Sequence, residues 1–298
     1  MLATVKQPYP QTGGVSWHWR AWRKRAQWRS FQQWVGQQWY QKNADGISKN
    51  TDAGHCDASF RNTAAGSRRE LIMLGPSAGW TLPDDILDPF THITCVDMDP
   101  LAPLFFRLVH KKSETTRHGQ HAQTQPARKI AWLQQDFMTT LSDVLAQWPH
   151  ATLLFANSLG QQGLLHDTPE TTETLFSHLK TQLKGRCWFS YHDRLSLHFE
   201  SPPAQNAINE LLRRSMTLES NTTLSSEDLM QQLQIAQWAA ELNAPRKPLH
   251  QARHTSQTRM HITDHLTGDI LPPGSRRRYS LLPVTDKALH IVEAGWAV

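Results

Sequence analysis

The sequence predicts an α/β fold in which a mostly parallel sheet carries helices on both faces. Three observations predict it. Short apolar runs recur through the middle of the chain, helix-like stretches separate them, and the chain closes with two strand-like runs joined by a tight turn. Short buried strands alternating with helices are the pattern of crossover units in a parallel sheet.

The first run, Glu70 to Leu74, gives way to Gly75-Pro76-Ser77-Ala78-Gly79. The second, His92 to Asp97, ends in an acid, and so does the third, Lys129 to Asp136. The fourth is Ala151 to Asn157 and the fifth Gly185 to Tyr191. Helix-like segments lie between them at Pro100 to His110, Thr139 to Trp148 and Pro169 to Leu183. Lys111 to Arg128 is a polar loop before the third strand. After Tyr191 the alternation stops. Gln205 to Met216 and Glu227 to Leu242 read as helices, the second opened by Ser225 or Ser226 as N-cap. Asn243 to Arg259 is basic, His-rich and irregular. The last strands, Arg278 to Val284 and Ala288 to Val298, are separated by Thr285-Asp286-Lys287 and should pair as an antiparallel hairpin.

Ahead of the first strand, Met1 to Gly14 has no periodicity and lacks the apolar core of a signal peptide. From Ser16 to Lys42 the chain is helix-like, with Trp28, Phe31, Val35 and Trp39 spaced to line one face. Asn43 to Ser67 is polar and Gly-rich. The expected organisation is therefore an arm, basic helix and linker over residues 1–67, then an α/β domain over 68–298 with a helical insertion at about 194–276.

Hydrophobic residues make up 39% of the 298 and charged residues 19%, enough for one core with polar loops. No apolar run approaches the length a membrane span needs. Three cysteines, Cys56, Cys95 and Cys187, form no disulfide framework, and the expected compartment is the cytoplasm. The net charge of +5 permits an acidic partner without requiring one. That charge is uneven, because Arg20, Arg23, Lys24, Arg25 and Arg29 fall together with no acid among them.

The chemistry-bearing constellation is a strand, then Gly75 and Gly79, then Asp97 about twenty residues on. Glycines at a strand–helix turn let the backbone approach a ligand closely. A carboxylate at the tip of the second strand is placed to take both hydroxyls of a ribose. Asp136, at the tip of the third, can receive the exocyclic amine of an adenine. Asn157 ends the fourth strand and faces the same crevice. A nicotinamide-binding turn fits less well, since its second and third glycines are Ser77 and Trp80 here.

These residues resemble the class I S-adenosylmethionine-dependent methyltransferase superfamily, over roughly Glu70 to Val298. The resemblance implies a Rossmann-like seven-stranded sheet whose last two strands form a hairpin. The family's glycine motif reads acid-x-Gly-x-Gly-x-Gly, and here Gly75 and Gly79 match, Ser77 replaces the middle glycine and Met73 the acid. That acid helps hold the methionine end of the cofactor in the family. Asp97 matches the ribose-binding acid and Asp136 the adenine-contacting acid. Asn157 falls where substrate-facing residues lie, but lacks the Pro-Pro-aromatic sequel of enzymes that methylate nucleobase amines. The implied activity is methyl transfer from S-adenosylmethionine to an acceptor, a small molecule on the family's habit. The departures at Met73 and Ser77 leave open a non-catalytic binding or regulatory protein on the same fold.

His192 and Asp193 follow the fifth strand and point toward the same edge, where His192 could serve as a general base. His166 and Asp167 after the fourth strand, and the loosely spread His250, His254, His261 and His265, read as polar loop residues, and no metal site is expected. Six of the twelve tryptophans lie between Ser16 and Lys42. That segment has three open roles: nucleic-acid binding by its cations and aromatic rings, an amphipathic helix on an anionic membrane, or a helix packed on the sheet over the cleft.

Overall fold

The computed structural model describes residues 15–41, 70–83, 85–110, 128–165, 169–243 and 260–297. Five parallel strands form its centre: β1 (Glu70–Leu74), β2 (His92–Val96), β3 (Lys129–Leu133), β4 (Thr152–Ala156) and β5 (Trp188–Phe199). The connecting helices are α3 (Ala102–His110), α4 (Phe137–Gln147), α5 (Leu159–Leu165) and α6 (Pro169–Leu183), after the N-terminal α1 (Val15–Lys24) and α2 (Arg29–Gln41). The insertion holds α7 (Gln205–Thr217), β6 (Glu219–Ser220), α8 (Ser226–Gln232), α9 (Ile235–Asn243) and β7 (Met260–Asp264). The chain ends in the hairpin β8 (Arg277–Thr285) and β9 (Ala288–Ala297).

The sheet order is β3-β2-β1-β4-β5-β9-β8-β6, with β7 pairing the far half of β5. β9 is antiparallel to β8, as the two-residue turn between them requires, and also to β5. The order reverses between β1 and β4, the switch point at whose carboxyl ends the crevice of an open α/β sheet lies.

Alternation along β1 explains why both faces need helices. Leu71 and Met73 point into a core shared with Trp28, Phe31, Trp39 and Phe106 of α2 and α3 and the turn between the helices. Ile72 and Leu74 point the other way, into a core with Phe137, Leu141 and Leu179 of α4 and α6. A third core lies between the outer half of β5, β8 and β9, and the insertion, where Leu211, Leu229 and Trp238 are buried. Each such large side chain contributes about 1.5–3 kcal/mol on burial.

Several expectations need correction. The sheet has nine strands rather than seven, because the insertion contributes β6 and β7. The fifth strand runs on to Phe199, so the insertion opens after it rather than at 194, and it is not purely helical. Its outer half is held by antiparallel β7 on one edge and β9 on the other, ladders formed with distant segments. The single N-terminal helix is two helices, turned at Arg25–Trp28 so that α1 reaches the tip of β2 while α2 lies over β8 and β9. The helix expected over Glu227 to Leu242 is likewise two, with Ser225 forming a capping box with Asp228 at the start of α8. Met1 to Gly14, Asn43 to Ser67 and most of Lys111 to Arg128 lie outside the described residues.

Candidate functional site

Gly75 leaves β1 with φ +64° and donates its N–H to Val96 O at 2.9 Å, so the turn begins by extending the ladder to β2. Gly79 closes the turn at φ +66°, its N–H on Pro76 O. A side chain at either glycine would collide with the fold itself. A Cβ on Gly75 would stand 2.5 Å from Ser158 Cβ, and one on Gly79 2.9 Å from the Phe106 ring. Ser77, between them, also has positive φ, at +49°. That conformation costs a non-glycine residue roughly 1–2 kcal/mol, and it aims the Ser77 N–H at Asp97 Oδ2, 2.6 Å away.

Asp97 is thus joined to the glycine turn through its carboxylate. Its Oδ1 accepts from Asp99 N at 2.9 Å. An ionised carboxylate offers about four acceptor positions, so two remain after these amides. Burial pushes the Asp97 carboxyl up, and the Asp99 charge adds to this, while the two amides oppose it. Gln135 N donates to Asp97 O at 3.2 Å, which brings the β3 tip and Asp136 alongside. Asp136 is the N-cap of α4, with Oδ1 accepting from Met138 N at 2.9 Å. The helix explains that acid without a ligand, and its other carboxylate oxygen is left over.

α1 closes one side of the crevice. The Trp80 indole donates to His18 Nδ1 at 3.1 Å, so the ring proton sits on Nε2 and is donated to Asp99 Oδ2 at 2.7 Å. The same ring stacks on Phe105 at 4.3 Å. Asp99 also holds Leu101 N, as a helix-entry acid should.

Across the crevice, Asn157 has φ +57°, and Ser158 Oγ donates to Leu74 O at 2.9 Å, tying β4 to β1. Asn157 Nδ2 reaches Asp193 Oδ2 at a long 3.5 Å. The same oxygen lies 2.9 Å from His290 Nδ1 in β9. Burial alone would push the Asp193 carboxyl up; His290 holds it below the usual carboxylate range. His265 packs beside His290, its Nδ1 donating to Gly160 O and its Nε2 accepting from Ser196 Oγ, both at 2.7 Å. Ser77 Oγ, Asn157 Oδ1 and Asp193 Oδ1 are buried without a partner.

The structure therefore brings Gly75, Ser77, Gly79, Asp97 and Asp136 to one edge of the crevice and Asn157 to the other. His192 is not with them. It lies inside β5 rather than after it, fully buried, on the strand face opposite Asp193. Its Nδ1 meets Ser190 Oγ at 2.9 Å, and burial with the nearby Arg194 pushes its pKa down to about 3. A histidine held neutral in a strand interior is part of the core. Its neighbours are a buried charge cluster in which Glu293 lies 3.2 Å from both Arg194 and Arg277. His290 escaped sequence reading, because a histidine in an apolar strand carries no local signal of the acid facing it.

Met73 is wholly buried in the core under α2 and α3, where an acid would have no solvent. Surface concavities of about 390 and 260 Å³ lie on the insertion, the first beside Glu210 and Arg214, the second beside Ser226 and Ile262. Among the described residues no His, Cys, Asp and Glu group has the makings of a metal site. His166, Asp167, His250 and His254 lie outside the described residues, and His261 is exposed on β7. Arg20, Arg23 and Arg29 are exposed on the N-terminal helices, with Lys24 and Arg25 half-buried.

No protein-family model matches the chain, and no curated protein matches it. Among solved structures it is similar to the plantazolicin methyltransferase BpumL with SAH and a monoazolic desmethylPZN analog. There the identity is 11%, over 92% of this chain and 98% of that one, at a TM-score of 0.26. The complex of BpumL with SAH alone gives the same identity, coverage and TM-score. At that level the likeness assigns neither fold nor activity to this chain.

Proposed function

We propose that the chain binds S-adenosylmethionine at the crevice between β1 and β4 and transfers its methyl group to an unidentified acceptor, a small molecule by preference. The observation that carries this is the Ser77–Asp97 contact at the switch point of the sheet. It sets a carboxylate with two acceptor positions to spare against a turn whose backbone bends three times through positive φ. Ligands of open α/β sheets bind at such a point.

The ribose half of the cofactor fits the residues present. Asp97 would take the ribose hydroxyls, the spare oxygen of Asp136 the adenine amine, and Gly75, Ser77 and Gly79 the cofactor backbone, with Ser77 Oγ as an otherwise unpartnered group. The methionine half has no acid at Met73 to hold it. Once bound, the cofactor supplies a methyl group already activated on a sulfonium, so positioning is the main task left to the protein. Asn157 would position the acceptor through its unpartnered Oδ1. His290, oriented by Asp193, is the acid–base pair nearest to it, and would hold the proton the acceptor gives up. His18, Trp80 and Phe105 keep water from the α1 side.

A second reading is a binding or regulatory protein that uses the fold without methyl transfer. Met73 in an apolar core favours it, as does the packing that requires Gly75 and Gly79 whether or not a ligand is present. Calorimetric titration with S-adenosylmethionine and S-adenosylhomocysteine separates the two. Micromolar binding that disappears in Asp97→Ala supports the enzyme; no heat from a folded protein with either ligand removes the methyl-transfer reading and leaves the second standing.

A further inference from the structure

The N-terminal helix presents an apolar stripe to solvent. Val15, Trp19 and Trp22 follow one another at helical spacing along α1 and are exposed, Trp19 by 61% and Trp22 by 45%. The neighbouring α3 does the same with Leu104 and Leu108, 56% and 49% exposed, and Met98 stands out before it at 62%. Eight large hydrophobic side chains are exposed among the described residues, and these are six of them. An isolated exposed apolar residue needs no explanation, but a concentration of them on adjoining elements does.

The two helices adjoin because His18 lies between them. Its ring stacks on Phe105 of α3, its Nε2 is bonded to Asp99 beside Met98, and Trp22 meets Trp80 edge-on at 6.0 Å. The exposed charges on the two helices have one sign. Arg20, Arg23 and Arg107 are exposed there, and neither α1 nor α3 contains an acid.

Three occupants would suit an exposed apolar face, and the chemistry separates them. A second copy meeting the same patch would set arginines against arginines with no carboxylate between them, which like-charge repulsion opposes. A nucleic acid would pair with the arginines and stack on the tryptophans, but gains nothing from Leu104, Leu108, Val15 and Met98. An anionic bilayer uses every part. Aliphatic side chains enter the acyl boundary, tryptophan rings settle at headgroup level, and arginines meet the phosphates.

We infer that α1 and α3 together form a docking face for an anionic membrane surface, on which the protein lies without spanning the bilayer. Among the described residues no helix is long and apolar enough to cross a membrane. The face borders the crevice through His18 and Asp99, so docking would present the crevice mouth to the bilayer. The inference stands on the surface alone and holds whether or not the chain transfers methyl groups.

Flotation of the full chain with vesicles tests it. The protein should float with an equal mixture of phosphatidylcholine and phosphatidylglycerol, and remain behind with phosphatidylcholine alone. Leu104→Glu with Leu108→Glu should abolish flotation and, at exposed sites, leave the thermal melt unchanged; Trp19→Glu with Trp22→Glu should abolish flotation too. Arg20→Ala with Arg23→Ala should weaken binding roughly tenfold to thirtyfold, the loss of two basic contacts with an anionic surface. Failure to float, or flotation that survives both glutamate pairs, overturns the inference. So does salt-sensitive capture of a single-stranded oligonucleotide without vesicle binding, or a concentration-dependent dimer in sedimentation that the Leu104→Glu, Leu108→Glu pair dissolves.

Discussion

His18 and Asp99, 81 residues apart in sequence, meet at 2.7 Å with both side chains buried. This contact fastens the N-terminal helix to the tip of β2, two residues from Asp97. The sequence marks neither residue as a partner of the other.

Replacing His18 with alanine would leave Asp99 buried without its donor and remove the ring stacked on Phe105. The expected loss is about 2–3 kcal/mol in urea unfolding. Hydrogen exchange should show α1 losing protection while β1 and β4 keep theirs. Uniform loss across the sheet would mean that α1 is not a separable cover.

Alanine at Gly79 should cost about 2–4 kcal/mol, combining positive-φ strain with a collision against Phe106 and His110. Gly185 provides the control. It also has positive φ, at +73°, but a Cβ there meets nothing within 4 Å, and alanine should cost only about 1–2 kcal/mol. Equal costs at the two sites would remove packing as the reason for Gly79.

Asp193 has a depressed pKa in the folded chain, held down by His290 against the effect of burial. Its contribution to stability is therefore present above the unfolded value near 3.9 and is lost as pH falls through the folded one. Asp193→Asn should be less stable than the parent by about 2–3 kcal/mol at pH 7. The gap should begin to narrow below about pH 4 and close as pH falls through the folded value. A gap that persists in acid would show that shape rather than charge matters at this position.

Glu293 behaves in the opposite sense. Burial pushes its carboxyl from 4.5 up to about 7, against the pull of Arg194 and Arg277. Its folded pKa is raised, so its contribution is full below the unfolded value and is lost as pH rises toward 7 and beyond. The loss is on the order of 3 kcal/mol. The stability of the parent relative to Glu293→Gln should fall from pH 5 to pH 8, and a constant difference would show that Glu293 does not titrate in that range.

The arginines of that cluster are not equivalent. Arg277 donates to Leu271 O, Pro272 O, Ser275 O and Thr223 Oγ1, whereas Arg194 donates to Leu224 O. Arg277→Met should thus destabilise more than Arg194→Met, the first by about 3–5 kcal/mol. Denaturant melts of the two variants decide it, and the reverse order would mean the loop carbonyls are satisfied without Arg277.

What the sequence determined by itself is local in origin. The runs at Glu70, His92, Lys129 and Ala151 are short, apolar and bounded by turn residues, so their strands could be placed to within three residues at either end. The closing hairpin was legible from the shortness of its turn, and the burial of Trp28, Phe31, Val35 and Trp39 from their spacing. The glycine turn and Asp97 were legible for the same reason, since a strand tip fixes where the next residues lie.

Tertiary structure decided what depends on pairing between distant segments. β5 continues through His192 and Asp193 because β7 and β9 supply its outer hydrogen bonds, and nothing near Tyr191 announces either partner. That continuation buries His192 on one face and turns Asp193 toward Asn157 and His290 on the other. Asp136 was legible as an acid at a strand tip, but its engagement as an N-cap depended on where α4 began. The face that α1 turns to water was likewise settled only when His18 found Asp99 and Phe105. A sequence records which side chains can be buried; only the packed sheet determines which of them face one another.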